Sequence, residues 1–287
     1  MEIVHREVKL SRRHSELKIV AMGCVHHGAA GCDDKLAQFW YDKILQEPDT
    51  YAIFGGDMVD GIHEKDKRFT HQECAKWCFD GALGGTVIDR QYRYALKKWR
   101  PLAEKGKILW LHAGNHEELL WHRFGAPDLT RNWAWELKIP YAGYSALSSL
   151  TIHSAGNRQT RHRVTFYSTH GSGSASTNGA AERRVKKLMD AYAADVYLMW
   201  HVHRRVTTAA RRIGLTQQRD GAVKMREYDR IGAACGTFLN SHMEGITGYG
   251  ELAGYEPVIP GPVIVHIKEG ANADQLRIWA STAVIEQ

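Results

Sequence analysis

Short apolar segments alternate with amphipathic segments through the first two thirds of the chain. The apolar runs predict strands at 16–22, 50–56, 107–114, 163–171 and 195–203, and a helical spacing of apolar residues predicts helices at 34–45, 87–105, 116–125 and 180–193. Pro101 lacks a backbone N–H, so we expect the predicted helix at 87–105 to be interrupted at that residue. Strands that alternate with helices are typical of a layered α/β domain.

The pattern changes after residue 204. Segments that read as strands follow one another without a long helical pattern between them, at 204–212, 222–229, 231–238, 261–267 and 275–281. We expect antiparallel hairpins that complete a second sheet. The sequence shows neither a linker nor an internal repeat, so we predict a single domain over 1–287, in which 204–287 is mainly β.

Length and composition are those of an ordinary globular protein. The chain has 287 residues, of which 44% are hydrophobic and 24% charged, which is enough for a large core. The sequence contains no apolar run that could span a bilayer, and its first ten residues lack the apolar core of a signal peptide. We therefore expect a cytoplasmic protein with no membrane partner, and homo-oligomerisation is left open.

The charge of the chain allows two interpretations. The formal net charge is +6, and five basic pairs occur along the sequence, at 12–13, 183–184, 186–187, 204–205 and 211–212. This favours a polyanionic substrate or partner, such as a nucleic acid. A solvated surface with a mild excess of positive charge explains the same numbers. The five cysteines are odd in number and scattered, which excludes a disulfide framework.

Residues that can bind metals follow the ends of five predicted strands. They are Cys24 and His26, Asp57 and Asp60, Asn115, His116 and Glu117, His170, and finally His201 and His203. Functional groups in open α/β sheets gather at the carboxyl ends of strands. Side chains two residues apart in an extended segment point the same way, so Cys24 and His26 can converge on one ion, as can His201 and His203. His27 would point to the opposite side. Five such strand ends together indicate a metal-dependent site.

These residues carry a resemblance to a known family. The blocks GCVHHG, GGDMVD, GNHE, THG and WHVH, in this order between about residues 16 and 205, resemble the signature blocks of the calcineurin-like metallophosphoesterases. The usual forms are GDxHxG, GDxxD, GNHE, a lone His and GHxH. The resemblance implies a four-layer α/β/β/α sandwich, with two mixed sheets flanked by helices. The segments IPYAGYSALSSLTI and CGTFLNSHMEGITGYGELAGYEP are similar to the phage and prophage branch, which implies a bacterial or phage-infected cell.

The resemblance also implies a centre of two metal ions. Site one would comprise Cys24, His26, Asp57 and His203, and site two Asp57, Asn115, His170 and His201, so that Asp57 bridges the ions. His116 would be the general acid or would hold the scissile phosphate, and Asp60 would orient a ligand or a backbone turn from behind. His27, Arg204 and Arg205 adjoin the blocks and are candidates for contact with the substrate.

Two residues depart from the family pattern. Cys24 stands where the family has Asp, and Trp200 stands where it has Gly. A thiolate keeps the negative charge of a carboxylate but favours Zn or Fe over Mg or Mn. We therefore expect two divalent or trivalent transition-metal ions, Zn, Fe or Mn, with Zn or Fe preferred beside Cys24. Trp200 has no ligand role and is interpreted as a packing residue.

Two further segments have structural interpretations beside functional ones. His112 lies inside the strand at 107–114 and is interpreted as a core histidine with satisfied hydrogen bonds. The loop at 170–180 is rich in Gly and Ser, so its backbone N–H groups can face a phosphate. The alternative is a plain connection whose following helix is capped by Asn178.

The leading hypothesis is a dinuclear-metal phosphodiesterase that acts on DNA or RNA as a nuclease, with Asp57 and His116 at the reacting centre. One alternative is a phosphomonoesterase or a hydrolase of small nucleotides. The other is a binding or regulatory protein in which Cys24 has weakened catalysis. The complete set of blocks, the basic charge balance and the phage-like segments favour the leading hypothesis.

Overall fold

The computed structural model describes residues 1–66, 69–81, 84–155, 161–217, 221–245, 251, 254–270 and 276–282. Within these ranges the strands are β1 (Glu2–Lys9), β2 (Leu17–Met22), β3 (Thr50–Phe54), β4 (Ile108–Leu111), β5 (Ser145–His153), β6 (Arg161–Thr169), β7 (Val196–Met199), β8 (Arg205–Gln217), β9 (Val223–Thr237), β10 (Gly261–Glu269) and β11 (Leu276–Thr282). The α-helices are α1 (Asp34–Gln46), α2 (Val87–Glu104), α3 (Asn115–Phe124), α4 (Leu129–Leu137) and α5 (Asn178–Ala191). None of these helices is both long and apolar enough to cross a membrane.

The strands form two mixed sheets that touch at one corner. Sheet A has the order β1-β5-β6-β7-β9-β8, and sheet B has the order β11-β10-β2-β3-β4. Among the described strands, two residue pairs join these sheets into one continuous path, where the start of β10 meets the end of β9. In sheet B, β2, β3 and β4 are parallel, and in sheet A, β6, β7 and β9 are parallel. The carboxyl ends of these parallel strands carry the loops that hold the ligand-type residues.

Three buried clusters show how the layers stack. One lies between the two sheets and contains Trp110 of sheet B against Phe166 of sheet A, with ring centroids 5.5 Å apart. A second covers the other face of sheet B with α1, α2 and α4, and Trp99 and Trp133 lie at its centre. The third joins α5 to the other face of sheet A through residues that include Val185. The four-layer α/β/β/α sandwich is therefore confirmed.

Three expectations about the elements need correction. Helix α2 continues through Pro101 to Glu104, so the predicted interruption is wrong; the missing N–H costs one bond close to the helix end. The last third of the chain does not complete a single sheet, because β8 and β9 extend sheet A while β10 and β11 belong to sheet B. The segments 222–229 and 231–238 are one strand, β9. Part of the phage-like segment 235–257, at 246–250 and 252–253, lies outside the described residues.

Trp200 fills the space between two of the site loops. Its side chain is fully buried, and the indole N–H donates to the backbone oxygen of Ala21 at 3.4 Å. A Cβ atom added to Gly23 would lie 2.4 Å from this ring, and one added to Gly55 would lie 2.0 Å from it. The large side chain of one block is thus accommodated by glycines in two others, which makes Trp200 a packing residue.

Replacement of Trp200 by Ala is expected to lower the free energy of unfolding by about 3–5 kcal/mol, because it opens a cavity at the base of the site. Urea unfolding followed by far-UV circular dichroism measures this loss. Trp135→Ala is the matched control, since that side chain is 83% exposed and its removal should change stability by less than about 0.5 kcal/mol. Equal losses in the two variants would contradict the packing role.

Candidate metal centre

The ligand-type residues lie on loops with strained backbone. Positive φ angles occur at Cys24 (47°), His26 (55°), Asp57 (49°), His201 (71°) and His203 (56°). This left-handed region is uncommon for residues other than glycine and costs about 1–3 kcal/mol each, so it persists mainly where function requires it. Elsewhere in the described residues only His14 and Lys138 share it among non-glycines. The sequence pattern predicts extended segments here, and this prediction is wrong, because these residues have left-handed backbone.

The first group of donors comprises Cys24, His26 and His203. One donor atom from each residue lies within 4.8 Å of the others, and the two Nε2 atoms are 3.2 Å apart. Burial lowers the pKa of His26 well below its ordinary value and lowers that of His203 to about 4. Both rings are therefore neutral near pH 7, and neutral imidazole is the form that binds metals.

The thiol of Cys24 is fully buried and belongs to the apolar cluster between the two sheets. The backbone N–H of His201 donates to its Sγ atom at 3.3 Å. Burial, and after it the carboxylate of Asp57, raises the pKa of this thiol well above its ordinary value. A thiolate at this place requires a nearby cation, and metal binding is the usual way in which a buried thiol loses its proton.

The second group comprises Asn115, His170 and His201. The Oδ1 atom of Asn115 lies 2.7 Å from Nδ1 of His201 and 3.0 Å from Nε2 of His170. The other ring nitrogen of His170, Nδ1, donates to the backbone oxygen of Gly55 at 2.7 Å, so Nε2 is the nitrogen directed at the centre. That atom is 3.1 Å from Oδ2 of Asp57. Burial opposes a charge on this ring, but the Asp57 carboxylate raises the pKa of His170 above its ordinary value, so a metal ion bound here would replace the proton on Nε2.

Asp57 lies between the two groups. Its carboxylate shares one cluster with Cys24 and His170, whose donor atoms lie within 4.8 Å, and its Oδ1 accepts from the backbone N–H of His116 at 2.9 Å. Burial favours the protonated acid, but the neighbouring His170 and His116 outweigh it and hold the pKa of Asp57 well below its usual value. The group is therefore an ionised carboxylate placed to serve both groups.

Glu117 has a role that the sequence blocks did not reveal. Its buried carboxylate accepts from the backbone N–H groups of Asp57 (3.0 Å), Met58 (2.8 Å), Val59 (3.3 Å) and Gly114 (3.0 Å). It thereby holds the Asp57 loop against the start of α3. The signal was present in the sequence, because a Glu three residues after a helix N-cap bonds back to the cap N–H.

His116 and Asp60 lie beside the first group. The Nδ1–H of His116 donates to the backbone oxygen of Asp60, and the His116 ring centroid lies 4.7 Å from that of His26. Burial opposes a charge on His116, but the carboxylates of Asp57 and Asp60 raise its pKa above the ordinary value. The Oδ1 atom of Asp60 is 3.9 Å from the buried Nδ1 atom of His26, which is too far for a hydrogen bond, so the orienting role of Asp60 stays a prediction.

The donor set fits two transition-metal ions. It consists of one thiol, four imidazoles, one carboxylate and one amide oxygen, which are ligand types that Zn, Fe and Mn accept. Within each group the donor atoms lie close enough to one another to face one ion. The structure brings together all seven residues that the resemblance implies.

His27 is directed away from this centre. Its side chain is buried, its Nδ1 lies 2.6 Å from Oδ1 of Asp34, and its Nε2 lies 3.0 Å from the hydroxyl of Tyr41. Both ring nitrogens are therefore engaged against α1, and neither is left for a substrate. This corrects the predicted substrate contact of His27.

The two arginines that follow the WHVH block behave differently. Arg204 lines the cleft above the donor groups, but it is buried and its Nη2 lies 3.2 Å from a carboxylate oxygen of Glu256. Arg205 is not among the described residues that line the cleft; its Nη1 donates to the backbone oxygen of Pro260 at 3.4 Å. The predicted phosphate contact therefore does not fit Arg205.

Two structural interpretations can also be resolved. His112 is fully buried, with Nδ1 3.0 Å from the backbone oxygen of Gly143 and Nε2 2.8 Å from Oγ of Ser168, and burial lowers its pKa to about 3. It is a core histidine, as expected. The cap of α5 is Thr177 and not Asn178, since the Thr177 hydroxyl accepts from the N–H of Ala180.

This chain is similar to known proteins at the level of solved structures. Neither the family models nor the curated proteins that were compared match this chain. Among solved structures it is similar to Vps29 of Chaetomium thermophilum, with 12% identity, 93% of this chain and 95% of that chain covered, and a TM-score of 0.32. It is also similar to Vacuolar Protein Sorting 29 from Cryptosporidium parvum, with 9% identity, coverage of 93% and 98%, and a TM-score of 0.36.

Proposed function

We propose that the protein is a metal-dependent phosphoesterase with two metal ions that share Asp57. The observation that carries this proposal is the convergence of buried and half-buried donors from five loops around one ionised carboxylate. Cys24, His26 and His203 would hold one ion with Asp57, and Asn115, His170 and His201 the other. When bound, such a pair of ions polarises a phosphate ester and activates water at neutral pH.

The remaining residues of the site can position and transfer a proton. Because Nδ1 of His116 is bonded to the backbone of Asp60, Nε2 is the ring nitrogen left to donate to a leaving oxygen or to contact a phosphate oxygen. A general acid contributes about 10²–10⁴-fold to such reactions. Asn115 adds an oxygen donor without further negative charge, and Glu117 fixes the loop that carries Asp57.

The charges in the cleft favour diesters over monoesters. A phosphomonoester carries about −1.5 to −2 at pH 7, whereas a diester carries a single negative charge. Arg204 is the one arginine or lysine among the described residues that line the cleft, and Glu256 already neutralises it. The basic composition and the phage-like segments favour a diester of nucleotides, either nucleic acid itself or a small nucleotide, and phosphomonoester hydrolysis is the second candidate function.

Bis(p-nitrophenyl) phosphate and p-nitrophenyl phosphate distinguish these functions when each is offered with Mn, Zn, Fe and Ni. We expect a higher kcat/KM for the diester. A higher value for the monoester would favour the second candidate. Absence of hydrolysis of both esters with every metal would refute the proposal and favour a binding or regulatory protein.

Replacement of Cys24 by Asp is expected to shift metal preference from Zn or Fe towards Mn, because a carboxylate is a harder ligand than a thiolate. The ratio of bound Mn to bound Zn should rise by at least about tenfold, since even replacing a residue that hydrogen-bonds to a ligand alters metal affinity by about 10–100-fold. Metal content after dialysis against equal concentrations of both ions measures the shift, and rates with each ion provide a second readout. Identical profiles for the variant and the parent would show that the thiol does not set selectivity.

A further inference from the structure

The cleft above the candidate metal centre has a largely apolar wall. Its volume is about 530 Å³, which is in the range of sites for small molecules. Its larger apolar side chains include those of Ile62, Leu239, Met243, Tyr255 and Val258. Four of these five come from the segments that leave β9 and enter β10. Such a wall gains free energy by packing against an apolar or aromatic group of a substrate.

The cation in this cleft is already engaged. Arg204 is only 8% exposed, and besides its contact with Glu256 it donates to the backbone oxygens of Ala175 and Ser176. A second phosphate of a substrate would have to displace a carboxylate from this guanidinium. The lining therefore offers little to a chain of successive phosphates.

Apart from Arg204, the basic pairs of the sequence are not among the described residues that line the cleft, and two of their members have acidic partners outside it. Arg211 on β8 contacts Glu227 and Asp229 on β9, each at 2.7 Å. Lys186 on α5 contacts Glu182 at 2.7 Å. None of these cations is among the described residues that line the cleft. Binding along a nucleic-acid strand requires cations that follow its backbone, and the cleft lacks such a row in its described lining.

From these three observations we infer that the substrate is a small phosphodiester with a single phosphate and an apolar or aromatic substituent, such as a nucleoside, and not the interior of a polynucleotide strand. The phosphate lies at the donor groups, and the substituent packs against the wall that contains Met243 and Val258. This inference rests on the proposed phosphoesterase activity and assigns its substrate class.

Three substrates test the inference with the holoenzyme. They are thymidine 5′-(p-nitrophenyl phosphate), methyl p-nitrophenyl phosphate and covalently closed circular single-stranded DNA. The first two share a leaving group, so the expected advantage of the thymidine ester in kcat/KM, at least about tenfold, reports contact with the nucleoside. The circle should stay intact. Its cleavage at a comparable rate per bond would overturn the inference while supporting a phosphodiesterase, whereas failure to hydrolyse either small diester would refute the proposed function itself.

Two neighbouring apolar residues provide a matched pair of variants. Val258 lines the cleft, whereas Ile259 does not and is 76% exposed. Val258→Ala should raise KM for the thymidine ester by about fivefold and leave that of the methyl ester within about twofold. Ile259→Ala should change neither value by more than about twofold, and metal content should be equal in both variants. Equal KM values for the two variants would show that this wall does not contact the substrate and would overturn the inference.

Discussion

Replacement of His116 by Asn is expected to lower kcat by about 10²–10⁴-fold while both metal ions stay bound. His116 belongs to neither group of candidate ligands, and its Nδ1 is held by the backbone oxygen of Asp60. Asn can accept and donate hydrogen bonds but cannot deliver a proton from a ring nitrogen. Turnover of bis(p-nitrophenyl) phosphate and metal analysis by plasma mass spectrometry measure the two parts of this result.

The control for this variant is His122→Asn on the same helix. The His122 side chain is 61% exposed and contacts Glu118, so its replacement should leave kcat within about twofold. Unchanged turnover in His116→Asn would show that the assignment of His116 is wrong. The leaving group distinguishes its two conceivable roles: a general acid matters more for a poor leaving group such as an alkoxide, whereas a residue that holds the phosphate affects good and poor leaving groups equally.

Replacement of Asp57 by Asn is expected to remove both metal ions and reduce hydrolysis to background. Asp57 is the one carboxylate placed between the two donor groups, and its pKa is held well below the usual value, so the variant loses a full negative charge from both sites. Replacing a residue that hydrogen-bonds to a metal ligand already costs about 10–100-fold in metal affinity, so the loss of a shared ligand should cost at least about 100-fold.

Metal content and thermal unfolding of the Asp57→Asn variant should be measured together, so that loss of metal is distinguished from loss of fold. Asp42→Asn is the matched control for metal content, because it removes the same charge from an exposed position on α1. Its carboxylate accepts from Nε2 of Gln38 on the same helix and belongs to neither donor group, so both ions should be retained. Two ions per chain in Asp57→Asn would contradict the shared site.

The elements that the sequence predicted well are those with a strong local pattern. Strand β2 lies at Leu17–Met22 and α1 at Asp34–Gln46, close to the predicted 16–22 and 34–45, because continuous burial and helical periodicity are properties of the segment itself. The membership of β8 to β11 in two different sheets could not be predicted in this way. A period of two indicates which face of a strand is buried, but it does not identify the neighbouring strand.

The same division applies to the candidate site. The spacing of His201 and His203 predicts that both bind the same ion, whereas the family resemblance assigns them to two different ions. In the structure His203 lies with Cys24 and His26, whereas His201 lies with Asn115. The left-handed backbone at both histidines turns them apart, and this conformation depends on the surrounding loops and not on the local sequence.

By itself the sequence determined the chemical types of the donors, their order along the chain, the thiol in place of a carboxylate, and the excess of positive charge. Only the tertiary structure decided where that charge lies: Arg204 is bound to Glu256, and Arg211 to residues of β9. The physical reason is that donor chemistry belongs to each residue, whereas the field in a cleft depends on which charges long-range packing brings face to face.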